Sequence, residues 1–174
     1  YNDLTIKEIV PIMKLNIRGK KTEFFTNVSK ILNMILPTEA NTSSTNDKLT
    51  SIWLSPDEWM IYSNDPIENN NNSYELEESI YSNISKNNLG SISDVTDQYV
   101  MINLEGKKIF ELLNSGSPFN FNEFKEKKGL TTQTILNHID VIIHNKNINN
   151  VNLFVRRSFA EHLWSWMNDS ARFL

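Results

Sequence analysis

The sequence predicts an α+β fold in which two β-α-β-β-α pseudo-repeats form one domain. Three observations carry this. The stretch Leu15-Asn16-Ile17-Arg18-Gly19-Lys20-Lys21 returns as Ile102-Asn103-Leu104-Glu105-Gly106-Lys107-Lys108. In both copies a strand of alternating polarity runs into Gly-Lys-Lys and then into a helical pattern. Each half then continues with two further strands and a closing helix, so the repeats cover about residues 12–88 and 94–170. Neither half alone is large enough for a comfortable core, so the two are expected to pack as one body. Helices on the faces of antiparallel-rich sheets make an α+β domain.

In the first repeat, Met13, Leu15 and Ile17 face one way along a strand. Phe24, Phe25, Val28, Ile31, Leu32 and Ile35 recur at helical spacing, and Pro37 is expected to stop that helix. A polar loop, Thr38 to Lys48, leads to strands at Leu49–Leu54 and Glu58–Ser63 with Pro56-Asp57 in the tight turn between them. A helix at Tyr74–Lys86 follows, with Leu76, Ile80 and Ile84 at four-residue spacing. In the second repeat, Val100, Ile102 and Leu104 line the strand. Ile109, Phe110, Leu112 and Leu113 form a short helix ending near Asn114-Ser115-Gly116. After a loop, Ser115 to Leu130, one strand is expected over Gln133–His144 and another over Val151–Arg157, joined by Asn145 to Asn150.

The end of the chain, Leu153 to Asp169, reads as a strand that becomes a helix with no loop between. Ser158 and Glu161 have the spacing of an S-x-x-E capping box. Phe159, Leu163, Trp166 and Ser170 share one helical face, with Met167 at its edge. Trp164 lies roughly 100° or more from that face, which predicts a partner surface. Arg156 and Arg157 precede the helix. They suit the carboxylate of a partner chain, or they are a solvated strand end. Trp164, Arg156 and Arg157 are therefore the candidate interface residues.

Composition excludes several function classes. The net charge of −4 favours neither nucleic acid nor an anionic membrane, and the basic pairs are scattered. There is no cysteine, hence no disulfide, thiolate metal site, Cys nucleophile or iron–sulfur cluster. No apolar run approaches the roughly 20 residues of a membrane span, and no signal-peptide pattern opens the chain. The expected compartment is the cytoplasm. The first residue is Tyr1 and not Met, so residues before it are expected. The abundant asparagine reads as compositional drift.

Catalytic motifs are sparse. The Gly-Lys-Lys turns stand at helix starts, where amide N–H groups attract anions, but neither G-x-x-x-x-G-K-[ST] nor G-x-G-x-x-G occurs. A glycine that ends a strand tightly is the favoured reading. His138 and His144, six positions apart on the expected strand, would share a face about 20 Å apart, too far for one metal. Surface or edge histidines are the favoured reading, His162 included. Ser158 is explained by its cap, and no G-x-S-x-G occurs. Asp57 and Glu58, adjacent in a turn, point apart and make no acid/base pair. Asp140, a lone acid in Ile139-Asp140-Val141-Ile142-Ile143, is an edge charge or a buried functional acid, the former favoured. Four tryptophans, Trp53, Trp59, Trp164 and Trp166, are many for this length; most are expected in the core, and with no evident active site the spare ones fit a binding partner. No catalytic, cofactor-binding or metal residue is assigned.

The segments WLSPDEWMIYS, ISDVTDQYVMINLEGKKIFELLNSGSPFNF, TTQTILNHIDVIIH and LFVRRSFAEHLWSWM, in that order, resemble the gamma subunit of heterotetrameric sarcosine oxidase. Asp94-Val95-Thr96-Asp97 followed by a strand and L-x-G-x-x-x-x-x-L-L is also similar to the aminomethyltransferase (glycine-cleavage T-protein) superfamily, whose fold is folate-binding and internally repeated. The resemblance implies a complex with alpha, beta and delta subunits. Those partners would carry FAD, FMN, NAD, tetrahydrofolate and zinc, oxidising sarcosine to glycine and passing the methyl carbon to tetrahydrofolate or releasing formaldehyde. It implies a structural, non-catalytic role here. Asp140 lies near an acidic position of the aminomethyltransferases, but their glycine-rich D-D pattern is not reproduced. The alternative is a stand-alone folate-binding one-carbon transfer protein.

Overall fold

The computed structural model describes residues 3–65 and 73–174. It is α+β, with two five-stranded antiparallel sheets and four α-helices among the described residues. The chain divides into two compact units, Pro11–Asp97 and a second made of Tyr1–Val10 with Gln98–Leu174.

In the Pro11–Asp97 unit, β2 (Lys14–Gly19) runs into α1 (Thr22–Leu32), then β3 (Ser43–Thr45), β4 (Leu49–Ser55), β5 (Glu58–Ser63), α2 (Ser73–Ile80) and β6 (Gly90–Asp94). The sheet order is β3-β4-β5-β2-β6. Helix α1 buries Phe24, Val28 and Leu32, one stripe at four-residue spacing, against Leu15, Ile17, Trp59 and Ile61. Each such side chain contributes about 1.5–3 kcal/mol. The helix ends earlier than Pro37 predicts. Asn33 takes the left-handed conformation (φ 49°, ψ 43°) and the Met34 N–H returns to the Ser29 carbonyl. Ile35 therefore lies outside the helix and is exposed. Trp59 is buried and donates its indole N–H to the Pro37 carbonyl at 2.7 Å. The hairpin at Pro56-Asp57 forms as expected. Helix α2 passes into a π-helical turn, Tyr81–Ser85, that keeps Ile80 and Ile84 in the core.

In the other unit, β7 (Tyr99–Glu105), α3 (Ile109–Gly116), β8 (Thr131–Leu136), β9 (Ile139–Asn147), β10 (Asn150–Arg156) and α4 (Arg157–Ala171) follow one another. The sheet order is β1-β7-β10-β9-β8, with β1 at Thr5–Glu8. One expectation is corrected here. The single strand over Gln133–His144 is a hairpin, because Asn137 (φ 49°) and His138 (φ 65°) form a two-residue turn with both central residues left-handed. His138 is thus a turn residue and shares no strand face with His144. The core gathers Ile102, Leu104, Ile109, Leu112, Leu113, Val151, Leu153 and Val155 with Leu163 and Met167 of α4.

The two sheets follow the same path. Strands β2, β3, β4 and β5 occupy the places that β7, β8, β9 and β10 occupy in the other. In each sheet the outermost strand beside the first one is borrowed. β1 precedes β2 in sequence yet pairs with β7, and β6 precedes β7 yet pairs with β2.

Candidate docking groove

The junction of β10 and α4 has no loop. Arg156 stays extended (φ −59°, ψ 136°), and the Arg157 N–H, first in the helix, donates to the Gln98 carbonyl at 2.9 Å. The capping box is not formed. The helix starts one residue earlier than expected, Ser158 lies inside its first turn, and no side chain caps it.

The buried stripe of α4 is Leu163, Met167 and Ala171, at i, i+4 and i+8. This corrects the face expected from sequence. Phe159 is half exposed at 50%, and Met167 is at the centre of the stripe and not at its edge. Trp166 packs beside the core over Gly116, where a Cβ would come within 2.4 Å of the indole. Trp164 is also half-buried and packs against the core. It belongs to the flank formed with Ala160, four residues earlier, and is not surplus to packing.

That flank borders an open groove of about 340 Å³ lined by Glu8, Val100, Ile102, Arg157, Ala160, Glu161 and Trp164. Val100 and Ile102 come from β7, Glu8 from the end of β1, and the rest from one side of α4. Its floor is apolar and its rim charged. Glu8 and Glu161 have no ion-pair partner among the described residues. The structure therefore brings Trp164 and Arg157 together, and leaves Arg156 exposed at the end of β10 outside the groove lining. Glu8 was not legible in the sequence because β1 is four residues long and its strand character appears only through pairing with β7.

The remaining candidates take structural places. Lys20 pairs with Asp57 and Arg18 with Glu58, both at 3.4 Å, so the two acids point to different partners. The Ser55 hydroxyl on its carboxylate, with Lys20 and Arg18 nearby, lowers the Asp57 pKa despite some desolvation. Lys108 donates to the Leu174 carbonyl. Gly106 has φ 126°, and a Cβ there would meet the Asp3 carbonyl oxygen. Asp140 is exposed next to the hairpin turn on β9, an inner strand of the sheet, so it is a solvent-facing acid and not an edge charge. His138 and His162 are exposed, the latter 3.4 Å from the Asn137 amide. His144 departs from the surface reading. It is 2% exposed, beside Asn152 and Thr131 on neighbouring strands, and burial, aided by Lys146, lowers its pKa to about 4. Lys14, unremarked in the sequence, is buried and donates to the carbonyls of Ile12 at 3.2 Å and Thr96 at 3.3 Å.

Among the described residues no group of three His, Asp or Glu could hold a metal, and no helix is long and apolar enough to cross a membrane. Gly19, Gly90, Gly106 and Gly116 are each filled by the chain itself, against Phe24, the Arg18 carbonyl, the Asp3 carbonyl and Trp166.

Comparison with known proteins gives a family and a fold. The family described as sarcosine oxidase, gamma subunit, matches residues 18–172. Among solved structures, a chain of the heterotetrameric sarcosine oxidase from Corynebacterium sp. U-96, in complex with pyrrole 2-carboxylate, has TM-score 0.85 at 18% identity, covering 96% of this chain and 83% of that one. The glycine cleavage system aminomethyltransferase T from Bartonella henselae has TM-score 0.62 at 13% identity, covering 95% of this chain. This chain spans 45% of that protein, less than half its length. No curated protein sequence matches.

Proposed function

The chain belongs to the sarcosine oxidase gamma subunit family, and from that premise we propose that it is the gamma subunit of a flavin-dependent heterotetrameric sarcosine oxidase. The observation that carries this is the family match across residues 18–172. It decides between the two sequence readings in favour of the subunit over the stand-alone folate-binding protein. The complex oxidises sarcosine to glycine, with the methyl carbon passing to tetrahydrofolate or leaving as formaldehyde. In this reading the chain is cytoplasmic and contributes no catalytic group. FAD, FMN, NAD, tetrahydrofolate and zinc sit on the alpha, beta and delta subunits, and residues 12–88 and 94–170 are repeats within one domain. The shared strand order of the two sheets supports the repeat.

In the same reading Trp164 and Arg157 meet a partner subunit at the groove, with Arg156 beside them. An apolar floor with a charged rim and a large half-buried indole is the composition of an interface centre. Two measurements test the proposal. The purified chain alone is expected to be colourless and to bind neither flavin nor NAD; a stoichiometric flavin spectrum would overturn the structural role. Trp164→Ala is expected to lower the stability of the free subunit by about 1–3 kcal/mol, less than a fully buried tryptophan costs. Its recovery with the co-expressed alpha, beta and delta subunits should fall at least about tenfold, as for an interface hot spot. Normal recovery from a destabilised subunit would make Trp164 a packing residue only.

A further inference from the structure

We propose that the groove is the side-chain pocket of a strand-addition site. An extended segment of a partner subunit pairs with the outer edge of β1 and lays an apolar residue, next to a basic one, into the groove. The inference rests on the subunit reading above.

The register shows which backbone groups are available. Strand β1 pairs with β7 as Thr5↔Glu105, Ile6↔Leu104, Lys7↔Asn103 and Glu8↔Ile102, and the Ile9 N–H donates to the Met101 carbonyl at 3.0 Å. Hydrogen-bonded pairs alternate along an antiparallel ladder. Ile9 is bonded, so Lys7 and Thr5 are bonded too, and the N–H and C=O of Ile6 and Glu8 point away from β7. The sheet ends at β1, and among the described residues no strand pairs with that edge. The other end of the sheet is different. There the Asn137 N–H donates to the Gly116 carbonyl and Ser117 meets Thr134, so the end of α3 covers β8. Exposed edges are commonly blunted by proline, a bulge or an inward charge. Strand β1 has no proline or bulge; it is four residues long, its Lys7 pairs with Glu105 at 3.6 Å, and its one charge on the core-side face is Glu8.

The side chains name the occupant. Glu8 lies beside Ile102 on the face that holds the groove, and Ile6, on the same face, packs into the core. A strand added outside β1 would place alternate side chains about 5 Å from Ile6 and Glu8, two strand spacings from Val100 and Ile102 of β7, so that only a long side chain extending past Glu8 enters the groove. An apolar side chain fits that floor. The carboxylates of Glu8 and Glu161 outnumber the single guanidinium of Arg157 at the rim, so a basic neighbour complements it. Peptide recognition of this kind takes affinity from main-chain hydrogen bonds and specificity from pockets for alternate side chains.

Hydrogen–deuterium exchange on the free subunit and on the oxidase assembled by co-expression tests this. The amides of Ile6 and Glu8 are expected to slow about tenfold or more on assembly, while those of Thr5 and Lys7, already bonded, change little. Glu8→Pro removes an outward N–H without touching the β1–β7 bonds. It should leave the free subunit folded and lower recovery of the assembled oxidase more than Glu8→Ala does. An assembled oxidase in which Ile6 and Glu8 exchange as fast as in the free chain overturns strand addition and leaves the subunit reading standing. A wild-type chain that joins no complex overturns both. Protection of the same amides by self-association of the free chain assigns the edge to a second copy and overturns a partner subunit as its occupant.

Discussion

His144 is a residue whose chemistry was set by its neighbours. An imidazole in a run of apolar strand residues reads as an edge group, because most histidines stay near water. Here both faces of the β9 segment are covered, and His144 is held neutral with a pKa lowered from the ordinary 6.5 to about 4. Between those values the unfolded chain takes up a proton that the folded chain refuses, so acid favours unfolding. The stability contributed at neutral pH is full above about pH 6.5 and is lost as pH falls toward 4, by up to ~1.4 kcal/mol per pH unit. Urea melts of wild type and His144→Asn at pH 7 and pH 4.5 check this. The wild type should lose more stability than the variant; equal losses would show that His144 is protonated without cost.

At the scale of elements, the β10–α4 junction shows what a local motif does and does not decide. The alternation of Leu153 and Val155 and the helical pattern beyond are both realised, with no loop between them. The S-x-x-E motif is not, because the Arg157 N–H is bonded to the Gln98 carbonyl and draws the helix start one residue back. A serine inside the first turn has no orphan N–H to cap in the box geometry. Ser158→Ala should therefore change stability by less than about 0.5 kcal/mol, below the usual ~1 kcal/mol of a lost N-cap. A loss of a full N-cap in denaturant melts would restore the capping box. The glycines of the two Gly-Lys-Lys turns differ in kind. Gly19 makes room for the Phe24 ring, 2.3 Å from where its Cβ would be, whereas Gly106 is required by its positive φ as well as by the Asp3 carbonyl.

For the whole molecule, β1 binds the segment before Pro11 into the unit that resumes at Gln98. Leu4 is 2% exposed in the same core as Ile102 and Leu163, and β1 adds Ile6 to it. Residues 98–174 alone lack this strand. Deleting Tyr1–Val10, the segment assigned to that unit, should cost at least ~3 kcal/mol, since a buried leucine alone contributes about 1.5–3 kcal/mol. Thermal unfolding followed by circular dichroism checks it; an unchanged melting curve would mean that β1 is an appendage. The same deletion removes the edge to which a partner strand would add, so the truncated chain is expected to be lost from the assembled oxidase as well.

The sequence by itself determined the α+β class, the opening strand and helix of each half, the hairpin at Pro56-Asp57 and the loop-free β10–α4 junction. Each rests on a period or a turn preference that is local in the chain. The ordered motifs across residues 50–170 also led to the family. Only the tertiary structure decided the rest. Strands β1, β3 and β6 are three to five residues long and carry too few alternations to be read without their partners. The turn at Asn137-His138 was hidden inside an apolar run, because asparagine and histidine there are ordinary strand-edge residues until both adopt positive φ. The face of α4 was misread by part of a turn, since large aromatics were weighted over Met167 and Ala171. Burial follows the shape of the neighbouring sheet, which left Phe159 outside and drew Ala171 in. The groove has the same origin. Glu8 and Trp164 are far apart in sequence, and only the pairing of β1 with β7 sets them around one floor.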